Sequence, residues 1–175
     1  MPATFGKPLF TKAEIQKRVQ ELGDKISADY KGESLLLVGV MKGAYIFLSD
    51  LSRAIRMPIA VDYIGISSFE SRSKGRGAVR ISSDLNENIA GKNVLLVEDI
   101  INSGLTVEYL LKNLWAREPR DIKVCTLLDK VGKRRTSFKP DYVGFEIPSR
   151  YVVGYGLDYK DQYRNLPYIA TLTEE

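Results

Sequence analysis

The stretch VLLVEDIINSGLTVEYL, at positions 94–110, constrains the fold of this chain more than any other part of the sequence. It opens with a run of apolar β-formers, continues into the adjacent carboxylates Glu98 and Asp99, and passes through an Asn-Ser-Gly turn into a helical pattern. A continuous apolar run of this kind is typical of a parallel strand that is covered on both faces. Because ligands of open α/β sheets bind outside the carboxyl ends of the strands, we expect the two acids to lie at a binding site.

The rest of the chain repeats this alternation of strands and helices. Thr11 and Glu14 form a capping-box pattern, which predicts the start of a helix, and apolar residues follow at helical spacing. Further strands are predicted at 34–40, 58–66, 79–83, 121–128, 142–147, 151–153 and 168–172, and further helices at 44–55 and 105–117. The alternation up to residue 128 predicts a mostly parallel, doubly wound sheet flanked by helices.

Two segments depart from the regular pattern. Residues 67–80 begin with Ser, Gly and charged residues and lack an apolar period, so we predict a flexible lid, because long loops in compact domains are commonly functional. The irregular segment of about 140–175 is predicted to form, with the N-terminus, a small hood near the carboxyl edge of the sheet. A chain of 175 residues suits one hydrophobic core, so a single domain is predicted over 1–175.

Composition limits the chemistry that is open to this chain. It contains no His and a single Cys, Cys125, which lies in an apolar run and is predicted to be a buried strand residue. Structural zinc sites, Ser-His-Asp triads and Cys-His pairs are therefore excluded. A metal would be held by oxygen atoms, which favours Mg²⁺. No apolar run approaches the ~18 residues that span a bilayer, so we expect a cytoplasmic protein without a membrane partner.

Charge gives weaker information about partners. The formal net charge of +4 suits an anionic ligand, but the basic residues are scattered along the chain. The densest groups lie at 72–80 and 133–135, and a solvated surface explains either group as well as nucleic acid does. Nucleic acid is therefore not expected as a partner.

The turn at 102–106 carries the clearest chemical signal. Backbone N–H groups at the start of a helix bind phosphate, and carboxylates accept hydrogen bonds from the vicinal hydroxyls of a sugar. A phosphate cradle beside two acids describes a site for a 5-phosphoribosyl group. The alternative is a strand that ends in surface acids before an ordinary capped helix.

Several separated motifs resemble those of the type I phosphoribosyltransferases, and of their hypoxanthine-guanine branch in particular. They are VEDII with the Ser-Gly-Leu-Thr turn, LVGVMKGAYIFLSDL, VGFEIPSRYVVGYGLDY and YRNLP. The resemblance covers nearly the whole chain in the same order. It implies the type I phosphoribosyltransferase fold with its hood, Mg²⁺ as the cofactor, and a homodimer or homotetramer.

The resemblance also implies a role for each motif residue. Glu98 and Asp99 would hold the ribose hydroxyls and, with Asp158, the Mg²⁺ ion. The residues that would cradle the 5′-phosphate are Asn102, Ser103, Gly104, Leu105 and Thr106. The residues that would bind pyrophosphate are Lys42, Gly43, Ser68, Phe69 and Arg164, with a non-proline cis peptide before the lysine. The residues that would contact the purine are Ile101, Lys130, Tyr151, Val152 and Asp158.

Lys130 would set the choice of base. An ammonium donates to the 6-oxygen of hypoxanthine or guanine and rejects the 6-amino group of adenine. Tyr151 would stack on the purine, although its sequence pattern alone favours a core residue. Without the resemblance, Lys42 and Lys130 would be interpreted as solvated lysines at strand ends.

Two positions depart from the family pattern. The family has Asp at the position of Asn102, where it acts as general base or hydrogen-bond partner toward N7 of the purine. An amide cannot accept a proton at neutral pH, although its oxygen still accepts a hydrogen bond. The family also has Tyr at the position of Phe69. A natural variant, an inactive paralogue or a deliberate substitution would each explain Asn102.

The resemblance therefore predicts an enzyme of purine salvage. It would transfer the phosphoribosyl group of 5-phosphoribosyl 1-diphosphate to hypoxanthine or guanine, giving IMP or GMP and pyrophosphate, with turnover lowered by Asn102. The alternative is a non-catalytic regulator that binds nucleotide or RNA on the same fold.

Overall fold

A computed structural model describes residues 4–69 and 78–173, and it describes side chains over 5–67 and 79–172. The helices are α1 (Lys12–Asp29), α2 (Tyr45–Ala54) and α3 (Leu105–Trp115). The strands are β1 (Thr4–Phe10), β2 (Leu36–Met41), β3 (Ala60–Phe69), β4 (Ala78–Ser83), β5 (Asn93–Ile101), β6 (Asp121–Lys130), β7 (Tyr142–Ile147), β8 (Val152–Val153) and β9 (Ile169–Thr173). In the described ranges, no helix is both long and apolar enough to cross a membrane.

The main sheet has six strands in the order β4-β3-β2-β5-β6-β7. Four of its five pairings are parallel, and only the β3–β4 pairing at one edge is antiparallel. The predicted mostly parallel sheet is therefore confirmed. Its parallel strands place their carboxyl ends at one edge, with β5 between β2 and β6.

Helices cover both faces of this sheet, which explains why the central strands are apolar throughout. Leu95 and Val97 of β5 pack in the core that α1 and α2 cover, whereas Val94 and Leu96 pack in the core that α3 covers. Alternate strand residues point to opposite faces, so both sets are withdrawn from water. Cys125 of β6 is fully buried, as predicted.

The helix starts follow from local sequence. The Thr11 side chain accepts from the Glu14 backbone N–H, and the Glu14 side chain accepts from the Thr11 backbone N–H. The predicted capping box is therefore confirmed. Gly104 precedes α3 with φ of +84°, a left-handed conformation that glycine adopts without the steric cost of a Cβ.

A second, small sheet is formed by β1, β9 and β8. It joins the two ends of the chain, since Thr4 pairs with Thr173 and Phe10 pairs with Ile169. The hood was predicted to include everything from about 140 onward, and this was wrong for β7. That strand extends the main sheet beside β6, because Leu128 and Phe145 lie opposite each other in a parallel pairing.

The segment predicted as a lid is shorter than 67–80. Residues 67–69 continue β3 and residues 78–80 belong to β4, because the two strands pair antiparallel with Ser67 opposite Arg80. The remaining residues of the predicted lid, 70–77, lie outside the described ranges, as do the side chains of Ser68 and Phe69.

Candidate active site

Three neighbouring strands bring the predicted site residues to one edge of the main sheet. Lys42 directly follows β2, Glu98 and Asp99 lie near the end of β5, and Lys130 ends β6. The register places Ile101 opposite Asp129, so β5 and β6 end side by side. Lys130 was predicted to follow its strand, but it is the last strand residue, because it pairs with Ile147 of β7.

A cavity of about 210 Å³ lies where β5 turns into α3. Its lining residues are Ile66, Glu98, Asp99, Ile100, Ile101, Asn102, Ser103, Gly104, Thr106 and Val107. Leu105 is predicted to join the cradle, but its side chain is exposed and outside this lining. The turn places the first backbone N–H groups of α3 around the cavity, which is the arrangement that suits an anion.

The two acids on β5 differ in exposure and are electrostatically linked. Glu98 is buried, and burial followed by the neighbouring Asp99 carboxylate raises the pKa of Glu98 well above its usual range. Burial also raises the pKa of Asp99. The Ile100 backbone N–H donates to Asp99 Oδ1 at 2.7 Å and fixes that carboxylate. A cation brought to this pair would favour the doubly ionised form.

The loop after β2 is enclosed between β5 and the C-terminal segment. The peptide bond between Met41 and Lys42 is cis, which confirms the prediction for this position. A Cβ on Gly43 would lie 1.8 Å from Asp99 Oδ2. A Cβ on Gly156 would lie 2.2 Å from the Gly43 carbonyl oxygen, and Gly156 has φ of +99°. Gly43 is therefore packed closely against the Asp99 carboxylate, and Gly156 is packed closely against the Gly43 backbone.

A segment after β6, residues 131–136, packs over the turn that precedes α3. The Arg135 backbone N–H donates to the Ser103 carbonyl oxygen at 2.8 Å, and Thr136 lies against Gly104. Arg134 forms an ion pair with the buried carboxylate of Asp129. The pair fixes the segment at the point where Lys130 leaves the strand.

Lys130 itself is partly buried. Burial, and secondly the positive charge of Lys133, lower the pKa of Lys130 below its usual value. A partly desolvated ammonium is a stronger hydrogen-bond donor than one that water surrounds. Lys130 is therefore suited to bind an oxygen acceptor.

The predicted purine contacts of the C-terminal segment lie beside an exposed aromatic ring. Tyr151 is 51% exposed, so the alternative of a core residue is wrong. Its hydroxyl donates to the Asp158 carbonyl oxygen at 3.2 Å, and the ring of Tyr159 meets it edge-on with centroids 5.9 Å apart. The adjacent Val152 is buried in β8. The Tyr151 ring is therefore held by its hydroxyl group and remains exposed, so it is available for stacking.

Asp158, the third carboxylate that is predicted to hold Mg²⁺, makes contacts of its own in the structure. Its Oδ1 lies 3.0 Å from Arg164 Nη2, and its Oδ2 accepts from the Asp161 backbone N–H at 2.8 Å. Within the described ranges, no group of three or more acidic or Cys side chains is arranged to hold a metal ion. Asp158 is instead held within its own loop.

Three residues at this edge were not predicted from the sequence: Arg134, Thr136 and Asp161. Asp161 lies within contact of two cations, Lys42 and Arg164. Hydrogen bonds from Arg164 and then Lys42 lower its pKa. The motif GLDYKDQYR contains it, but a sequence spacing of 119 residues from Lys42 gave no signal of the contact.

A turn suited to an anion beside two acids, at the carboxyl edge of a parallel sheet, is typical of α/β proteins that bind phosphorylated sugars. The family model described as Phosphoribosyl transferase domain matches residues 9–160, and the chain belongs to that family.

Individual proteins similar to this chain have more specific names than the family does. The chain is 46% identical over 177 residues to a hypoxanthine-guanine phosphoribosyltransferase of Mycobacterium avium, which covers 98% of this chain and 87% of that protein. A crystal structure of such an enzyme from Bacillus anthracis, with HEPES in its active site, has a TM-score of 0.93 and 39% identity, covering 97% of this chain and all of that one. A structure of an asparagine mutant, from an analysis of an invariant aspartic acid in HPRTs, has a TM-score of 0.91 and 40% identity, covering 97% and 93%.

Proposed function

We propose that this chain transfers the 5-phosphoribosyl group of 5-phosphoribosyl 1-diphosphate to hypoxanthine or guanine, releasing pyrophosphate and forming IMP or GMP. The observation that carries the proposal is the adjacency of three features on neighbouring strands. They are the helix-start turn with Glu98 and Asp99 on β5, the lysine loop after β2, and Lys130 at the end of β6. The relatives described above are named as enzymes of this reaction, so the alternative of a non-catalytic regulator has no support.

The turn and the acids would hold the phosphoribosyl group. Ser103, Gly104 and Thr106, at the start of α3, line the cavity. A 5′-phosphate would bind there without a neutralising side chain. The Asp99 carboxylate, fixed by the Ile100 N–H, would accept from the ribose hydroxyls and hold the sugar in one orientation.

The loop after β2 and Arg164 would receive the pyrophosphate. Lys42 and Arg164 approach each other across this part of the site, since both contact Asp161. As the bond from the ribose C1 to the pyrophosphate oxygen lengthens, negative charge develops on the leaving group. Fixed cations stabilise that charge more in the transition state than in the substrate.

Mg²⁺ fits the donors that this site offers. Glu98 and Asp99 supply oxygen atoms only, and Mg²⁺ is commonly bound by one or two carboxylates together with substrate phosphates. Bound in this way, the ion would neutralise charge on the diphosphate. Asp158, which pairs with Arg164, would be the third carboxylate at the ion.

The purine would lie between Tyr151 and the end of β6. Tyr151 would stack on the ring, the Val152 backbone would meet its edge, and Lys130 would donate to the 6-oxygen. The new bond joins a purine nitrogen to the ribose C1, which passes through an oxocarbenium-like state. The purine must lose a proton in the same reaction.

Asn102 stands at the position where the family has the Asp that would assist this proton transfer. Its side chain is exposed at the cavity where β5 turns into α3. It can accept a hydrogen bond from the purine but cannot remove a proton. General-base assistance is typically worth ~10²–10⁴-fold, so turnover is expected to be slow while substrate binding is retained.

The test is a spectrophotometric assay of nucleotide formation, run on the chain and on Asn102→Asp. Hypoxanthine, guanine and xanthine are each supplied with 5-phosphoribosyl 1-diphosphate and Mg²⁺, and adenine serves as the negative control. We expect 6-oxopurine turnover in both proteins and a faster rate in the Asp variant. Absence of turnover in both proteins would refute the proposal, and equal rates would show that the base is dispensable.

A further inference from the structure

The carboxylate of Asp161 lies between the two cations that the proposed function assigns to pyrophosphate. Lys42 Nζ lies 3.2 Å from Oδ2 and 3.4 Å from Oδ1. Arg164 Nη2 lies 3.1 Å from the same Oδ1. One carboxylate oxygen is therefore shared by a lysine and an arginine that come from opposite ends of the chain.

Backbone hydrogen bonds fix the conformation of the loop that carries Asp161. Lys160 and Asp161 both have left-handed backbone angles, with φ of +52° and +60°. Tyr159 and Gln162 exchange backbone hydrogen bonds of 3.1 Å across the turn, and the Asp161 N–H donates to Asp158 Oδ2 at 2.8 Å. Asp is among the few residues that adopt this backbone conformation readily. The backbone of the turn therefore places the Asp161 side chain beside the two cations.

A carboxylate and a phosphate group make the same kind of contact with Lys and Arg. Both use anionic oxygens at hydrogen-bond distance, so they cannot occupy the same donors at once. We infer that Asp161 is an internal competitor of pyrophosphate, which binds Lys42 and Arg164 in the free protein and must be displaced when the diphosphate group binds. This inference rests on the proposed function, which places the diphosphate at these cations.

The competition is reversible because the contacts are exposed. The side chains of Lys42 and Asp161 are 70% and 66% exposed, and such ion pairs contribute little to stability. The Asp161 carboxylate also offsets the electrostatic repulsion between Lys42 and Arg164, and so keeps the two cations close together. When pyrophosphate leaves, Asp161 can return to the cations and so speeds release of the product.

Arg164 would stay in position when Asp161 withdraws. Its Nη2 also lies 3.0 Å from Asp158 Oδ1, and its Nη1 donates to the Gly156 carbonyl oxygen at 2.8 Å. Of the two cations, only Lys42 would then be left without its ion-pair partner in this loop. Removing the Asp161 charge therefore tests the competition without releasing the arginine.

The experiment compares the chain with Asp161→Asn and with the matched control Glu21→Gln. Asn adopts the left-handed backbone and keeps the N–H contact with Asp158, so the turn is retained while the charge is lost. Glu21 is also exposed and ion-paired, but with Arg18 on α1, so its loss changes net charge equally away from the site. Calorimetry measures the affinity for inorganic pyrophosphate with Mg²⁺, and steady-state kinetics measure KM for 5-phosphoribosyl 1-diphosphate.

We expect Asp161→Asn to bind pyrophosphate about 3–10-fold tighter, because it loses the ion pairs with Lys42 and Arg164, and to lower that KM. Glu21→Gln should leave both values unchanged. Unchanged or weaker binding in Asp161→Asn, with normal turnover by the unmodified chain, would overturn the inference alone. Equal tightening in the two variants would also overturn it, since net charge would then be the cause. If the unmodified chain neither binds pyrophosphate nor forms nucleotide, the proposed function fails together with the inference.

Discussion

Gly43→Ala should damage the site by a single added methyl group. The Cβ would lie 1.8 Å from Asp99 Oδ2, 2.5 Å from its Cγ and 3.0 Å from Oδ1. These separations are too short for any rotation of the new methyl group to relieve. On its other side the Gly43 carbonyl oxygen lies close to Gly156, which has no Cβ.

Two changes can relieve this overlap, and each has a cost. Asp99 can rotate away, which breaks its 2.7 Å hydrogen bond from the Ile100 N–H, or the loop that carries Lys42 can move. Forcing an extra methyl group into a packed site typically costs about 1–3 kcal/mol. At about 2–4 °C per kcal/mol for a chain of this size, Tm should fall by roughly 2–12 °C. Displacement of a substrate-positioning group by ~1 Å can cost on the order of 10²-fold, which we expect in kcat/KM for 5-phosphoribosyl 1-diphosphate.

Two further variants separate this explanation from a general intolerance of alanine. Gly132 has no atom within 4 Å of an added Cβ and its φ is not in the left-handed region, so Gly132→Ala should keep Tm and activity. In an Asp99→Ala background the carboxylate is gone, and Gly43→Ala should then cost little further stability. Thermal unfolding and initial rates measure both effects. The reasoning would be refuted by normal stability and activity in Gly43→Ala, or by an undiminished cost in the Asp99→Ala background.

Three other predictions concern the neighbourhood of the site and the edge of the sheet. Lys133→Gln removes a charge that lowers the pKa of Lys130, so the alkaline limb of the kcat/KM profile should move to higher pH; an unmoved limb would contradict this. Arg134→Met strands the buried carboxylate of Asp129 and should cost about 3–5 kcal/mol in denaturant unfolding, whereas Asp129→Asn in the same chain should restore most of it. Asp62 accepts backbone N–H bonds of 2.8–2.9 Å on both oxygens, and these outweigh burial and lower its pKa. Its stabilisation is therefore present above the unfolded-state pKa and lost as pH falls through the folded-state pKa, so Asp62→Asn should cost about 2 kcal/mol at neutral pH and much less in acid.

Local sequence was sufficient for the elements that carry the site. The β5–α3 unit could be predicted because a continuous apolar run, a glycine turn and a helical period are all local signals. The capping box of Thr11 and Glu14 is equally local, since both partners lie within one turn of helix. These signals place the phosphate cradle before any tertiary contact is known.

The elements that sequence did not predict depend on contacts between distant residues. Strand β1 contains Gly6 and Pro8, both poor strand formers, and it exists because it pairs with β9 at the other end of the chain. The end of β3 within the expected lid was missed for the same reason, whereas the strand predicted at 79–83 corresponds to β4. Polar residues there are held by pairing with each other, so a pattern based on burial gives no signal.

Family resemblance supplied the site residues but not the contacts that hold them. Arg134 looked like one of three consecutive surface charges, yet its partner Asp129 is buried at the end of the neighbouring strand. Asp161 drew no prediction from the sequence, yet it contacts Lys42. Such partners are defined by the fold, because spacing along the chain does not limit which loops meet at a sheet edge.

The close approaches at Gly43 and Gly156 show why the motifs of this chain are widely separated and still depend on one another. Gly43 contacts Asp99 on one side and the loop of Gly156 on the other. That loop is fixed independently, since the Tyr155 hydroxyl donates to Asp50 on α2 at 2.6 Å and the Gly156 N–H donates to the Arg164 carbonyl oxygen at 2.9 Å. A side chain on either glycine would therefore move Asp99 and the loop of Arg164 relative to each other. The three segments can form a binding site only when all three are in place, so loss of any one contact should impair pyrophosphate and ribose binding together.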